Sequence, residues 1–135
     1  MNMENSEPKL LIVYNTGSGL LSNIADFLHM SLSPKTFRCH LWYLTHTNFG
    51  MKKEWKSFLD NIGMKYYFFT QDRFSQKHSI ENAQLPAIFV KLGESVSLIA
   101  TDREINRCKT FDDLTAMAKR KLNEVVHSLE GRDIL

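Results

Sequence analysis

Residues 9–15 read KLLIVYN, and this short run constrains the fold more than any other stretch. It is apolar at nearly every position, so it shows neither the stripe of an amphipathic helix nor the alternation of a half-buried strand. A run of this length, bounded by turn residues, reads as a strand buried on both faces. The bounding residues are Thr16, Gly17, Ser18 and Gly19. Such a strand needs a layer above it and a layer below it, which means a sheet with helices packed on its faces.

The rest of the chain supplies those layers. Leu21, Ile24, Phe27 and Leu28 fall near helical spacing, with Ser18 or Ser22 as N-cap and Pro34 beyond the end. Residues 37–44 alternate, with Phe37, Cys39, Leu41 and Tyr43 against Arg38, His40, Trp42 and Leu44, which predicts a strand. Asn48 is placed to cap a second helix whose stripe is Met51, Trp55, Phe58, Leu59 and Ile62, with Gly63 as its stop. Residues 65–70 (KYYFFT) are aromatic and strand-like, and residues 71–84 read as a loop with a short helical piece. Residues 87–90 and 96–100 read as strands joined by a five-residue hairpin loop containing Gly93. Thr110-Phe111-Asp112-Asp113 resembles a capping box, and Leu114, Met117, Ala118, Leu122 and Val125 line one face of the helix after it. The expected order is β-α-β-α-β-β-β-α: one α/β domain over residues 9–127, a polar tail at 1–8 and a C-terminal tail at 128–135.

Composition narrows the function classes. At 135 residues and 43% hydrophobic the chain suits a single globular domain that needs neither metal nor disulfide to fold. Seventeen basic against 15 acidic side chains give net +2, which argues for no nucleic-acid surface. No stretch approaches 18 apolar residues, and the first eight residues lack the basic and apolar segments of a signal peptide, so no membrane association is expected. Two cysteines 69 positions apart are not a secreted disulfide framework, and the expectation is a cytoplasmic protein with reduced thiols.

A mixed sheet in this order, closed by a helix, is thioredoxin-like in layout. Leu85-Pro86-Ala87-Ile88-Phe89-Val90 fits it, because a proline before the third core strand of a thioredoxin fold is usually cis. The layout predicts a cis Leu85–Pro86 peptide, with Pro86 approaching the turn of Thr16, Gly17, Ser18 and Gly19. It also puts Ala87 on an edge where an extended peptide could pair. The competing reading is a trans proline starting an edge strand.

Several stretches together resemble a family of small, uncharacterised bacterial proteins of thioredoxin-like layout. They are Val13-Tyr14-Asn15 with Ser18-Gly19, Ser33-Pro34-Lys35-Thr36, Cys39, Leu44-Thr45, Asn48-Phe49-Gly50-Met51-Lys52-Lys53-Glu54-Trp55, Leu85-Pro86-Ala87-Ile88-Phe89, and Glu104-Ile105-Asn106 with Cys108. The resemblance covers most of the chain and implies a fold rather than an activity. Relatives often carry C-x-x-C where this chain reads Cys39-His40-Leu41-Trp42. A C-x-x-C pair can cycle through a disulfide or hold part of a metal site, and Trp42 can do neither. The turn after the first strand, where redox-active thioredoxins keep their cysteines, contains none here. A dithiol oxidoreductase is therefore not expected.

The candidate site residues follow. Cys39 is the candidate thiol, with Arg38 and His40 as neighbours that on a strand would point away from it. Its competing reading is a buried cysteine serving as a small hydrophobe, the commoner role. Cys108 lies in a loop with nothing beside it to activate it. Cys39, His40 and His46 lack a recognisable zinc spacing, and a metal would need Cys108 or His78 to join them, so no metal is expected. His29 and His127 read as surface helix residues. Thr16, Gly17, Ser18 and Gly19, with Pro86, form the candidate ligand site, since a glycine- and hydroxyl-rich turn offers N–H groups to an anion. That turn faintly resembles the phosphate loop of flavodoxins, so FMN or another phosphate is the alternative to no cofactor at all. A tight turn needing glycine for its backbone angles is the plainer reading. Trp42 and Tyr66, if outside the core, would form a patch for a protein or peptide partner or for a homodimer.

Overall fold

The computed structural model describes residues 7–15, 39–47, 49–78 and 84–134, the side chains of 76–78 and 128–134 excepted. In chain order the elements are β1 (Lys9–Val13), α1 (His40–Thr45), β2 (His46–Thr47), β3 (Gly50–Met51), α2 (Lys53–Asp60), β4 (Lys65–Phe69), α3 (Gln71–His78), β5 (Ala87–Leu92), β6 (Ser95–Ala100), α4 (Asp102–Arg107) and α5 (Phe111–Ile134). The helix expected over residues 21–31 and the turn of Thr16, Gly17, Ser18 and Gly19 lie outside the described residues, as does Asn48.

The four longer strands form one mixed sheet in the order β4-β1-β5-β6. β1 is parallel to β4, with Leu11 opposite Tyr67, and antiparallel to β5, with Leu11 opposite Phe89. β5 and β6 are an antiparallel hairpin. Its loop is the two residues Gly93 and Glu94, shorter than the five expected, because Leu92 pairs Ser95. Gly93 sits at φ +61°, which suits glycine at such a tight turn.

The KLLIV strand is buried on both faces, as its uniform apolarity requires. Leu10, Ile12 and the following Tyr14 face a cluster with Leu41, Leu44, Trp55, Leu59, Ile105, Leu114 and Leu122. Leu11 and Val13 face Phe74, Ala87 and Phe89 on the other side. Burial of each such side chain contributes about 1.5–3 kcal/mol. α5 follows its predicted cap and stripe. The Thr110 hydroxyl accepts from Asp113 N–H and the Asp113 carboxylate accepts from Thr110 N–H, at 3.1 and 3.2 Å. Leu114, Met117, Ala118 and Leu122 are buried below it.

Three expectations are corrected. Residues 40–45 are helix rather than the strand expected over 37–44. Leu41, Leu44 and Thr45 are the buried positions, which is i, i+3, i+4 spacing, and Tyr43 N–H closes on Cys39 O at 3.0 Å. A short apolar window fits both periods, and tertiary burial chose the helical one. Second, α2 starts at Lys53 with Lys52 as N-cap, because the β2–β3 hairpin takes up Met51 first. Third, Ala87 is not on an edge: β5 lies between β1 and β6, and Ala87 is fully buried opposite Val13.

Candidate functional site at the carboxyl end of β1

β1 ends at Val13, and Tyr14 and Asn15 carry its direction onward. Tyr14 N–H still bonds Phe69 O at 2.9 Å, so the first residue past the strand stays fixed to the sheet. The register of Val13 against Ala87 sets Pro86 beside this end of the strand, and the Leu85–Pro86 peptide is cis. The approach of Pro86 to Thr16, Gly17, Ser18 and Gly19 lies outside the described residues.

Cys39 arrives here from the start of α1. Its Sγ accepts Asn15 N–H at 3.3 Å, and its side chain is wholly buried. Burial pushes the thiol up, while the Trp42, Asn15 and Leu41 N–H groups pull the other way. The two α1 amides face the sulfur without closing a cap hydrogen bond. The net is a thiol that keeps its proton at neutral pH, the inert end of the range for cysteine.

A buried polar network adjoins it. Thr45 is fully buried, and its one hydroxyl hydrogen goes to Leu41 O at 2.8 Å. The Oγ1 lone pairs therefore receive Tyr14 O–H at 3.5 Å and His46 Nδ1–H at 2.9 Å. That fixes the imidazole tautomer and leaves Nε2 as the acceptor. Burial holds His46 down at about 4, so its ring is neutral at pH 7. Trp42 stacks on this ring at 3.7 Å with planes 6° apart, and Tyr14 meets both rings edge-on at 5.3 and 5.6 Å. Burial also raises the Tyr14 phenol, which stays protonated. Trp55 Nε1 is buried among the described residues without a partner, although it faces the Tyr14 hydroxyl closely enough to act on it. The β2–β3 hairpin holds His46 in place through its pairing with Met51, and Lys52 N–H bonds Thr45 O at 2.8 Å.

The structure thus brings Cys39 to the end of β1, and among the described side chains it brings none of Cys108, His40 and His46 to that sulfur as a ligand; the His78 side chain lies outside them. His40 Nε2 bonds Cys108 O at 2.5 Å, and its ring lies over Tyr43. Cys108 Sγ donates to Glu104 O at 3.4 Å, and burial first, then Asp113 and Glu104, raise that thiol. Cys108 lies in the short loop between α4 and α5, as expected, and is buried there. Among the described residues no group of three or more His, Cys, Asp and Glu side chains could hold a metal. His29 lies outside the described residues.

Sequence reasoning missed Thr45, His46 and Tyr14 as one network, and no local motif marks it. It also missed α4, for which a signal exists: Thr101-Asp102-Arg103-Glu104 is a capping box with both hydrogen bonds closed. The aromatic patch is displaced too. Trp42 and Tyr66 are half-buried, Tyr66 bonding Asp60, while Tyr67 and Phe68 are exposed. No family model matches the chain, and neither a curated protein nor a solved structure matches it at a significant level.

Proposed function

We propose that this chain is a thioredoxin-like module that engages a protein or peptide partner without dithiol chemistry, with Cys39 as at most a single thiol. The strand order β4-β1-β5-β6, with β4 parallel and β5 antiparallel to β1, supports the thioredoxin-like layout. So does the resemblance to small bacterial proteins, which often carry C-x-x-C where this chain reads Cys39-His40-Leu41-Trp42. The antiparallel β5 and β6 weigh against the flavodoxin-like alternative with FMN or phosphate on Thr16 to Gly19, which calls for a parallel sheet. A cytoplasmic setting, where both thiols stay reduced, belongs to this reading.

The observation that carries it is the state of the two thiols: each is buried, each is pushed toward its protonated form, and Cys108 holds its own backbone partner. The partner surface this reading favours is β4, an edge strand among the described residues, where Tyr67 and Phe68 stand 44% and 38% exposed. An extended peptide, or β4 of a second copy in a homodimer, can add to such an edge. Native-state labelling with a maleimide, read by intact mass, tests the reading. Neither thiol should label until denaturant is added. Native labelling of Cys39 alone would make it the single thiol of this reading, whereas native labelling of both cysteines, or a Cys39–Cys108 disulfide formed under mild oxidation, sinks it.

A further inference from the structure

A groove of about 750 Å³ runs between α2 and α5. Its floor includes Phe58, Ile62, Leu122 and Val126, and Val126 is 39% exposed where Leu114, Met117, Ala118 and Leu122 of the same helix are buried. Lys53 on α2 and Lys119 on α5 stand at its walls, with Glu54 as the single carboxylate in the lining. Neither lysine makes an ion pair among the described residues. Lys52 adds a third cation over the Phe111 ring that also lines the groove, at 5.4 Å.

We propose that this groove binds a small amphipathic anion: an apolar body laid along the floor and one carboxylate, sulfonate or phosphate between Lys53 and Lys119. Charge decides the sign of the head group, because two lysines outweigh one glutamate at the rim. Volume favours a small molecule over a partner helix. The volume lies within the range of small-molecule sites. The wall formed by α2 is only eight residues, about 12 Å at 1.5 Å per residue, which is two helical turns. Anchors at i, i+4 and i+7 of a docked amphipathic helix span about 10.5 Å, so such a helix is the competitor the titration must separate from the small anion. An alkyl chain of ten to twelve carbons fits the span.

The full chain is titrated with 8-anilinonaphthalene-1-sulfonate, followed by fluorescence, and the bound dye is challenged with dodecanoate, with dodecanol and with an acidic amphipathic peptide. The dye should bind saturably, one per chain, and dodecanoate should displace it at far lower concentration than dodecanol. Reversing both cations (Lys53→Glu with Lys119→Glu) should weaken dye binding roughly tenfold, as expected of two near-surface charges. Val126→Trp, which lays a ring across the floor, should abolish it with the far-UV circular dichroism unchanged. Leu98→Ser, on an exposed apolar residue of β6, should leave it intact. If Val126→Trp perturbs the fold, the double reversal and the dodecanol comparison still decide the matter. Non-saturable dye binding, indifference to the double reversal, or equal displacement by dodecanol overturns the proposal. Displacement by the peptide but not by dodecanoate overturns it in favour of a helical partner.

Discussion

The end of β1 and the junction between α4 and α5 each hold a buried cysteine, and they hold it in opposite ways. At the end of β1 the Cys39 sulfur is an acceptor, facing the N–H groups of Asn15, Leu41 and Trp42 inside an aromatic and polar cluster. At the helix junction the Cys108 thiol is a donor, giving its hydrogen to Glu104 O, and burial, then the Asp113 and Glu104 carboxylates, favour its protonated form. The first environment is built from residues far apart in the chain: Tyr14 and Thr45 are 31 positions apart. The second is built mostly from two capping boxes, Thr101 with Glu104 and Thr110 with Asp113, each spanning four residues. Proximity of a cation in sequence, as with Cys39 and Arg38, therefore tells little about a thiol. The field at the sulfur comes from whichever backbone groups the fold turns toward it.

The comparison breaks first if the end of β1 is not the more cooperative of the two regions. Trp55 is fully buried against Tyr14 and stacks on Phe58 at 5.7 Å. Trp55→Ala should lower unfolding stability by about 3–5 kcal/mol in urea titrations. A loss no larger than that of a helix cap would show that this cluster is loosely packed.

Acid is the second lever. His46 holds a folded value of about 4 against an ordinary 6.5. Between those values the unfolded chain binds the extra proton, so stability is fully present above pH 6.5 and is lost as pH falls toward 4. The loss should be on the order of 3 kcal/mol from this one group. His46→Asn should flatten that part of the stability–pH curve, measured by denaturant titration from pH 7.5 to 4. An unchanged slope would mean that the ring is not buried neutral against Trp42.

The helix junction should respond less. Thr101→Ala removes a hydroxyl that accepts Glu104 N–H at 3.1 Å, and should cost about 1 kcal/mol. Lys121→Ala removes the 2.7 Å pair with Glu104, whose side chains are 22% and 28% exposed. It should cost about 0.5–1 kcal/mol and lose that effect as salt is raised. Lys121 is also the chief cause of the lowered Glu104 carboxyl, so the same substitution should shift the Glu104 titration upward by carboxylate NMR.

What the sequence alone determined is what short-range physics writes into adjacent residues. The apolar run at 9–13 had to be a doubly buried strand, the runs near 88 and 98 had to pair, and the Thr110 box with its stripe had to start a helix. The Thr101 box was equally legible and went unread. Only the tertiary structure decided that residues 40–45 wind as helix, since their apolar spacing satisfied both periods until Leu41, Leu44 and Thr45 found the core. It alone set His40 against Cys108, 68 positions away, and gave His46 its neutral ring on Trp42. Hydrogen-bond caps and side-chain period act over three or four residues, so a sequence carries them openly. Burial, the local dielectric and the tautomer of an imidazole depend on which distant side chains close over a site, and those exist only once the sheet and its helices have packed.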